Sequence, residues 1–174
     1  MDTDFVILQG AAVLIFAACM VYAAVSDLRT FEIPNWVLIV VLALFPITVL
    51  AGPIPLSSIL PNVITGLSVF AVGFALFAFG YFGAGDVKLL AVIALWVGWP
   101  LLITYLTIVV LAGGVLSLFL IVFRRFPLYR GIAAIRWIAQ MYERKKDVPY
   151  AVPIALTAFC FLPRMPLIAE LFPS

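Results

Sequence analysis

The sequence predicts an all-α integral membrane protein with about six transmembrane helices and an amphipathic helix at the membrane surface. Of its 174 residues, 67% are hydrophobic, and the mean hydropathy is +1.29. Charged residues make up only 10% of the chain, against about 25% in soluble domains. A water-soluble chain of this length could not bury so much apolar surface, so the apolar runs are predicted to lie in lipid.

Six apolar runs divide the chain, and the longer ones reach or approach the roughly 20 residues that a helix needs to cross about 30 Å of hydrocarbon. The runs lie at about 5–25, 36–52, 57–80, 87–99, 101–123 and 149–163. The segment "PIPLSS" is predicted to be a turn between the second and third runs. The fourth run is short and ends at "GWP", which predicts a short, tilted or re-entrant helix.

Basic residues predict the orientation of these runs. Seven of the ten lysines and arginines lie in one loop at 124–148. They are Arg124, Arg125, Arg130, Arg136, Arg144, Lys145 and Lys146. The positive-inside rule places this loop in the cytoplasm. Counting back one crossing at a time puts Asp27 and Asp86 on the same cytoplasmic side and the N-terminus outside.

The basic loop also has a helical periodicity. In "LYRGIAAIRWIAQMYERKK", apolar residues recur at steps of three and four: Leu128, Ile132, Ile135, Ile138 and Met141. This spacing predicts an amphipathic helix that lies in the cytoplasmic interface. The helix could anchor the topology in lipid, or it could help to dock a basic or membrane-bound substrate.

Residues that are missing narrow the chemistry. The chain has no histidine, which excludes Ser-His and Cys-His nucleophiles, HExxH zinc proteases and histidine-ligated haem. Cys19 and Cys160 stand alone in separate apolar runs, so no CxxC metal or redox motif is present and both are expected to be packing residues. We expect neither a metal nor a cofactor.

Three acidic residues lie at the predicted cytoplasmic ends of the helices: Asp27 in "VSDLRTFEIPNW", Glu32 in the same stretch, and Asp86 in "YFGAGDVKLL". Glu32 is expected to be solvated. Taken singly, either aspartate could be a helix-end residue that pairs with Arg29 or Lys88, or that caps a helix.

As a pair, the two aspartates suggest a different chemistry. Two carboxyl groups at facing helix ends in a low-dielectric site do not both ionise easily, so one keeps its proton. The ionised group can then take a proton from a water molecule that attacks an amide, while the protonated group polarises the carbonyl. This arrangement needs no histidine, metal or nucleophilic serine.

The residues around Asp86 are candidates for shaping this site. Gly83 and Gly85 lack side chains, so a substrate backbone or a neighbouring helix could approach Asp86 closely, although ordinary helix packing or a helix break also explains them. Lys88 could pair with Asp86, bind a phospholipid headgroup, or mark the inner interface of the membrane.

These stretches carry a resemblance to a known family. "SDLRTFEIPNW" followed by "GAGDVKLL" resembles the paired signatures of the type IV prepilin peptidases, the aspartic GxGD membrane proteases. "DVPYAVPIAL" resembles the Pro-Tyr segment that opens their last helix, which implies that Pro149 and Tyr150 shape the site. The matching pieces occur in the family's order over nearly the whole chain.

The resemblance implies a single membrane-embedded peptidase domain over residues 1–174, in the bacterial inner membrane, with Asp27 and Asp86 as the catalytic pair at its cytoplasmic boundary. The implied substrate is the precursor of a pilin or pseudopilin, whose short basic leader is removed after a glycine, just before a hydrophobic helix. The expected partners are this precursor and membrane lipids, without nucleic acid; the sequence does not define an oligomeric state.

One departure from the larger family members is informative. Those members carry an insertion with two CxxC pairs between their first two helices, and they also methylate the new N-terminus. Here the segment from Ser26 to Asn35 leads directly into the second apolar run. The chain therefore resembles the short form associated with Flp (tight-adherence) pili, and methyltransferase activity is not expected.

Two other functions remain open from the residues alone. A small proton- or cation-coupled transporter could use the same two carboxylates, although both are predicted at one membrane face and no internal repeat is evident. A non-enzymatic subunit of a pilus or secretion assembly could use them in salt bridges to partners.

Overall fold

The computed structural model describes residues 3–51, 56–127, 135–144 and 147–169, and all regular elements within these ranges are helical. In chain order they are α1 (Thr3–Thr30), α2 (Asn35–Ala51), α3 (Leu56–Ala78), α4 (Ala84–Phe123), α5 (Arg136–Glu143), α6 (Ala151–Phe161) and α7 (Pro166–Ala169), with a 3-10 turn at Leu162–Arg164. Three segments are long and apolar enough to cross a membrane, namely Gly10–Thr30, Ile59–Ala78 and Ala84–Phe123. The predicted class, a helical membrane protein, is therefore confirmed.

The first helix is longer than its apolar run. The run was expected to end near residue 25, but α1 continues to Thr30, which places Asp27 in its last turn. The helix ends because Phe31 has a φ of 58°, a left-handed conformation, while its N–H still donates to the Asp27 carbonyl at 2.9 Å. Pro34 then favours an extended residue before it, and α2 begins at Asn35.

The fourth helix contains a reversal of the chain. Helix α4 has 40 residues, about 60 Å of straight helix and twice the thickness of the hydrocarbon. Gly98 interrupts it with a φ of 68° and a ψ of 168°, at the start of the "GWP" stretch. We call residues 84–97 the first arm and residues 99–123 the second arm.

Side-chain contacts show that the two arms fold back on each other. The ring of Tyr150 packs on that of Phe82, just before the first arm, with 5.9 Å between centroids. The same ring lies against Gly113 in the second arm. Phe82 and Gly113 would be about 46 Å apart along a straight helix, so one tyrosine can reach both only because α4 is a hairpin. This fold-back corresponds to the junction predicted between the fourth and fifth runs.

Aromatic side chains fix the first arm of α4 against α1 and α2. Trp96 is fully buried, and its ring lies 5.1 Å from that of Phe16 and 5.7 Å from that of Phe45, centroid to centroid. Its indole N–H donates to the carbonyl of Val41 at 3.2 Å. Since a polar group in an apolar interior must find a partner within the protein, this bond also sets the register of α4 on α2.

The basic loop, for which an amphipathic helix was predicted, contains one helix among its described residues. Helix α5 covers eight residues and buries Met141, and it lies against α1. Leu128 and Ile132, at the start of the predicted helix, lie outside the described residues. Ile135, which the spacing placed within the helix, is instead its N-cap residue with extended angles (φ −83°, ψ 106°), so the described helix begins at Arg136. Its place in the interface stays a prediction.

Candidate active site

A polar pocket of about 660 Å³ lies where α1 ends and where α4 and α6 begin. Both predicted catalytic residues, Asp27 and Asp86, line it. Residues from the α1–α2 turn form one side of the pocket, and residues that precede α6 form another. The structure therefore brings together two aspartates that are far apart in sequence.

Asp27 is held by the first residue of another helix. Its side chain is 5% exposed, and Oδ2 accepts a hydrogen bond of 2.8 Å from the backbone N–H of Ala151. Ala151 is the first residue of α6, so its N–H has no acceptor within that helix. A carboxylate in the last turn of α1 opposes the dipole of its own helix, and the N-terminus of α6 offsets this.

Asp86 lies in the first turn of α4, so its carboxylate is at the N-terminus of its own helix. It is the third residue of the helix, is partly buried, and interacts with the backbone N–H of Gly83, the N-cap residue. A Cβ at Gly83 would lie 2.8 Å from Oδ2 of Asp86. Gly83 has ordinary extended angles, φ −74° and ψ 143°, so glycine is needed here for space and not for backbone freedom.

The two carboxylates lie close enough to interact electrostatically. Each also lies at the N-terminus of a helix, Asp27 at α6 and Asp86 at α4, where backbone N–H groups favour an anion. Among the residues that the structure describes, no group of three or more His, Cys, Asp or Glu side chains could hold a metal ion. The chemistry that this arrangement can perform is proton transfer between two carboxyl groups and a bound water molecule.

Gly85 and Lys88 also line the pocket. Their contacts bear on the roles that the sequence left open for each of them. A Cβ at Gly85 would lie 3.4 Å from Cδ1 of Ile33, an ordinary van der Waals contact, so the packing of the α1–α2 turn on α4 does not require glycine at this position. The ammonium of Lys88 is 3.5 Å from Oδ1 of Asn35, whereas no ion pair joins Lys88 to Asp86 within the described part of the chain.

The Pro-Tyr segment has two different roles. Pro149 is buried and does not line the pocket; its carbonyl accepts from Val152 at 3.2 Å as α6 begins. Tyr150 does line the pocket, and its ring packs on Phe82. A Cβ at Gly113 would lie 2.5 Å from Cε1 of Tyr150, so the absence of a side chain there makes room for the ring.

Phe31, Arg144 and Asp147 also line the pocket, although the sequence did not mark them as site residues. The guanidinium of Arg144 lies 5.2 Å from the ring centroid of Phe31, a cation–π distance, and its Nη1 is 3.6 Å from Oδ2 of Asp147. Phe31 is a non-glycine residue in the left-handed region, which costs about 1–2 kcal/mol. Asp147 directly precedes the Val-Pro-Tyr segment, and this position was the one feature of the sequence that could have marked it as a pocket residue.

Arg124 ties the segment before α6 to the end of α4. Its Nε donates to the carbonyl of Met141 at 2.9 Å, and its Nη2 donates to the carbonyl of Asp147 at 2.8 Å. Met141 and Asp147 lie on either side of Arg144 in the sequence. The basic residue at the end of α4 therefore holds this wall of the pocket in place.

The fold and the site define a helical membrane protein with a pocket that contains two carboxylates at one end of its helices. Residues 14–118, more than half of the chain, match the family model described as the type IV leader peptidase family. The chain belongs to this family, and it is a leader peptidase-type protease. No curated protein and no solved structure matches the chain.

Proposed function

We propose that the chain is a membrane aspartic endopeptidase that removes the leader of prepilins or pseudopilins, cleaving after glycine. Asp27 and Asp86 are the catalytic pair in this proposal. The observation that carries it is that both carboxylates line one pocket and interact with each other, in a chain that belongs to a peptidase family and contains no histidine.

The reaction follows from one ionised and one protonated carboxyl group. The ionised aspartate takes a proton from water as the water oxygen bonds to the carbonyl carbon of the scissile amide, and the protonated aspartate gives its proton to the carbonyl oxygen. When the tetrahedral intermediate collapses, the C–N bond breaks, the amine nitrogen takes the proton from one aspartate, and a hydroxyl of the intermediate returns its proton to the other, which restores one ionised and one protonated group. One water molecule is consumed, and the leader leaves with a new carboxyl group.

The membrane arrangement in this proposal has six crossings, with the pocket at the cytoplasmic face of the inner membrane and the N-terminus outside. Helices α1, α2, α3 and α6 and the two arms of α4 supply six apolar segments, which supports that number. Arg144 belongs to the basic loop and lines the pocket, so the positive-inside rule supports the cytoplasmic side. Helix α5, with Met141 buried and Arg136 at its start, is proposed to rest on the same interface.

The short form of the enzyme is part of the proposal. The α1–α2 turn from Phe31 to Pro34 is tied down locally, because the hydroxyl of Ser26 donates to the carbonyl of Glu32 at 2.9 Å. Only residues 31–34 separate α1 from α2, and they contain no cysteine, so no zinc-binding segment is inserted there. We therefore propose a protease without methyltransferase activity, of the kind that serves tight-adherence pili.

The test compares the parent with Asp27→Asn and Asp86→Asn on a prepilin that carries its leader. We expect both variants to fold and to lose at least about 100-fold in cleavage rate, because each removes one partner in proton transfer. Glu32→Gln is the matched control: it removes an exposed carboxylate from the same pocket, and it should keep cleaving.

Near-parent cleavage by either asparagine variant would show that the aspartate is structural and that this mechanism is wrong. If the folded parent cuts no pilin-like precursor, a carboxylate-based transporter or a non-enzymatic assembly subunit becomes the better explanation. Ion uptake into proteoliposomes then separates those two.

A further inference from the structure

A second space, an apolar groove of about 1090 Å³, begins at the edge of the active-site pocket. Asn35 and Lys88 line both spaces, so the groove and the pocket are continuous at these two residues. Beyond them, all the groove-lining side chains in the described part of the chain are apolar. The groove therefore leads away from the two aspartates between helices that lie in the membrane.

The helix packing explains why this space exists. Helix α2 packs on α1 and on α4, and α3 packs along α4. Within the described residues, α2 and α3 flank α4 without packing extensively against each other. The space between them is the groove, and the first arm of α4 is its floor. The absence of a side chain at Gly66 lets α3 pack closely on the first arm of α4, since a Cβ there would lie 3.2 Å from the carbonyl oxygen of Ala91.

The groove follows the helices lengthwise. Its α2 wall uses residues three and four apart: Leu38, Leu42, Phe45 and Val49. Its α3 wall has the same spacing: Ile59, Val63, Gly66 and Phe70. This is the spacing of one face of each helix, so the two walls run side by side. From Asn35 to Leu50, the groove extends over about 22 Å, or four helical turns.

The dimensions suit a helix. Spread over about 22 Å, the volume corresponds to a cross-section of about 50 Å², more than half that of an α-helix about 10 Å in diameter. This exceeds the cross-section of a single extended acyl chain. An apolar helix could thus lay one face in the groove and leave its other face in lipid, as in helix-in-groove recognition.

We propose that the groove between α2 and α3 binds the apolar helix of the precursor that follows the scissile bond. This inference rests on the proposed function, because it assumes that the molecule bound in the groove is the substrate cleaved in the adjoining pocket. Asn35 and Lys88 then stand where the substrate chain passes from its apolar helix to the extended segment at the aspartates. Their paired polar side chains can meet backbone groups that are no longer satisfied within a helix.

The first test fills the groove. Leu67 lines it from the middle of α3 and is 63% exposed, and Leu67→Trp would occupy the space. Leu111 is the matched control, a leucine in the middle of the second arm of α4, 64% exposed and outside the groove. We expect Leu67→Trp to raise KM for the full precursor at least tenfold, whereas Leu111→Trp stays within twofold of the parent.

A truncated substrate separates groove binding from damage to the active site. A soluble peptide that contains the leader and a few residues after the glycine lacks the apolar helix. Both tryptophan variants should cleave this peptide at the parent's rate. Equal KM values for Leu67→Trp and Leu111→Trp on the full precursor would overturn the proposal, as would equal losses on the two substrates.

The second test does not depend on cleavage. A photo-crosslinking residue at position 42 or 67 of the Asp86→Asn protein, in vesicles that contain the precursor, should form an adduct with the precursor helix, and one at position 111 should not. Adducts with lipid alone, or with a second copy of this chain, would overturn the proposal. If the parent does not cleave but the groove adducts form, the proposed function fails while the groove assignment stands.

Discussion

The backbone N–H of Ala151 donates a 2.8 Å hydrogen bond to Oδ2 of Asp27, and this bond joins the start of α6 to the last turn of α1. It satisfies an N–H group that has no partner within α6, and it positions a buried carboxylate. Because asparagine retains an oxygen acceptor and alanine does not, the proposed catalytic role and the structural role of this side chain can be measured separately.

The first prediction concerns Asp27. Asp27→Asn should have a melting temperature close to that of the parent, because its amide oxygen can accept the hydrogen bond from the N–H of Ala151. Asp27→Ala should lose about 1–3 kcal/mol because the N–H of Ala151 is left without a partner. Thermal unfolding in detergent measures the difference. Equal melting temperatures for the two variants would mean that the hydrogen bond contributes little to stability.

The second prediction separates the two glycines before Asp86. Gly83→Ala should lower kcat about tenfold or more because its Cβ would lie 2.8 Å from Oδ2 of Asp86 and push the carboxylate away. Gly85→Ala should lower kcat by a smaller factor, because its Cβ would lie 3.4 Å from Cδ1 of Ile33, an ordinary contact. Cleavage kinetics on one precursor decide between them, and a larger loss from Gly85→Ala would contradict the geometry.

The third prediction uses two adjacent glycines in the second arm of α4. Gly113→Ala should cost about 1–3 kcal/mol because the ring of Tyr150 occupies the space that the new methyl group needs. In the described part of the chain, a Cβ at Gly114 would meet no heavy atom within 4 Å apart from its chain neighbours and the nearby backbone of its own helix, so Gly114→Ala should gain up to about 1 kcal/mol from helix propensity.

Unfolding measurements on both glycine variants test this assignment. Adding Tyr150→Leu to the Gly113→Ala protein should recover part of the lost stability, because the smaller side chain relieves the clash. No recovery would place the cause of the loss elsewhere in α4.

The fourth prediction concerns two neighbouring arginines with equal charge. Arg124→Gln should speed amide exchange in α5 and at Asp147 because two hydrogen bonds to the carbonyls of Met141 and Asp147 weaken. Arg125→Gln changes the net charge equally at an exposed position and should leave exchange as in the parent. Similar exchange in the two variants would indicate an effect of charge alone.

The sequence was most informative where a property depends on composition or on charge. Lipid-facing residues must be apolar, so hydropathy located the long helices to within a few residues, except at the end of α1. The basic loop led to the expectation that Asp27 and Asp86 share one side of the membrane, and in the structure both line one pocket together with Arg144 from that loop. Their catalytic role stays a prediction.

The sequence was least informative where structure depends on contacts between distant segments. Hydropathy could not locate the end of α1, because the end depends on the left-handed Phe31 and not on polarity. Gly113 sits in an apolar run like any other small residue, and only the fold places it against Tyr150. Arg124 looked like one of seven charges that set the topology, although its geometry gives it a specific structural role.

The bond between Asp27 and Ala151 spans 124 residues of sequence, and this separation has a consequence for biosynthesis. The ribosome synthesises Asp27 early and Asp86 later, but the N–H group that holds Asp27 emerges only with α6. A nascent chain that stops short of Ala151 contains both aspartates and still has an unfinished pocket. The pocket proposed for proteolysis is therefore completed only after α6 has been synthesised and packed against α1.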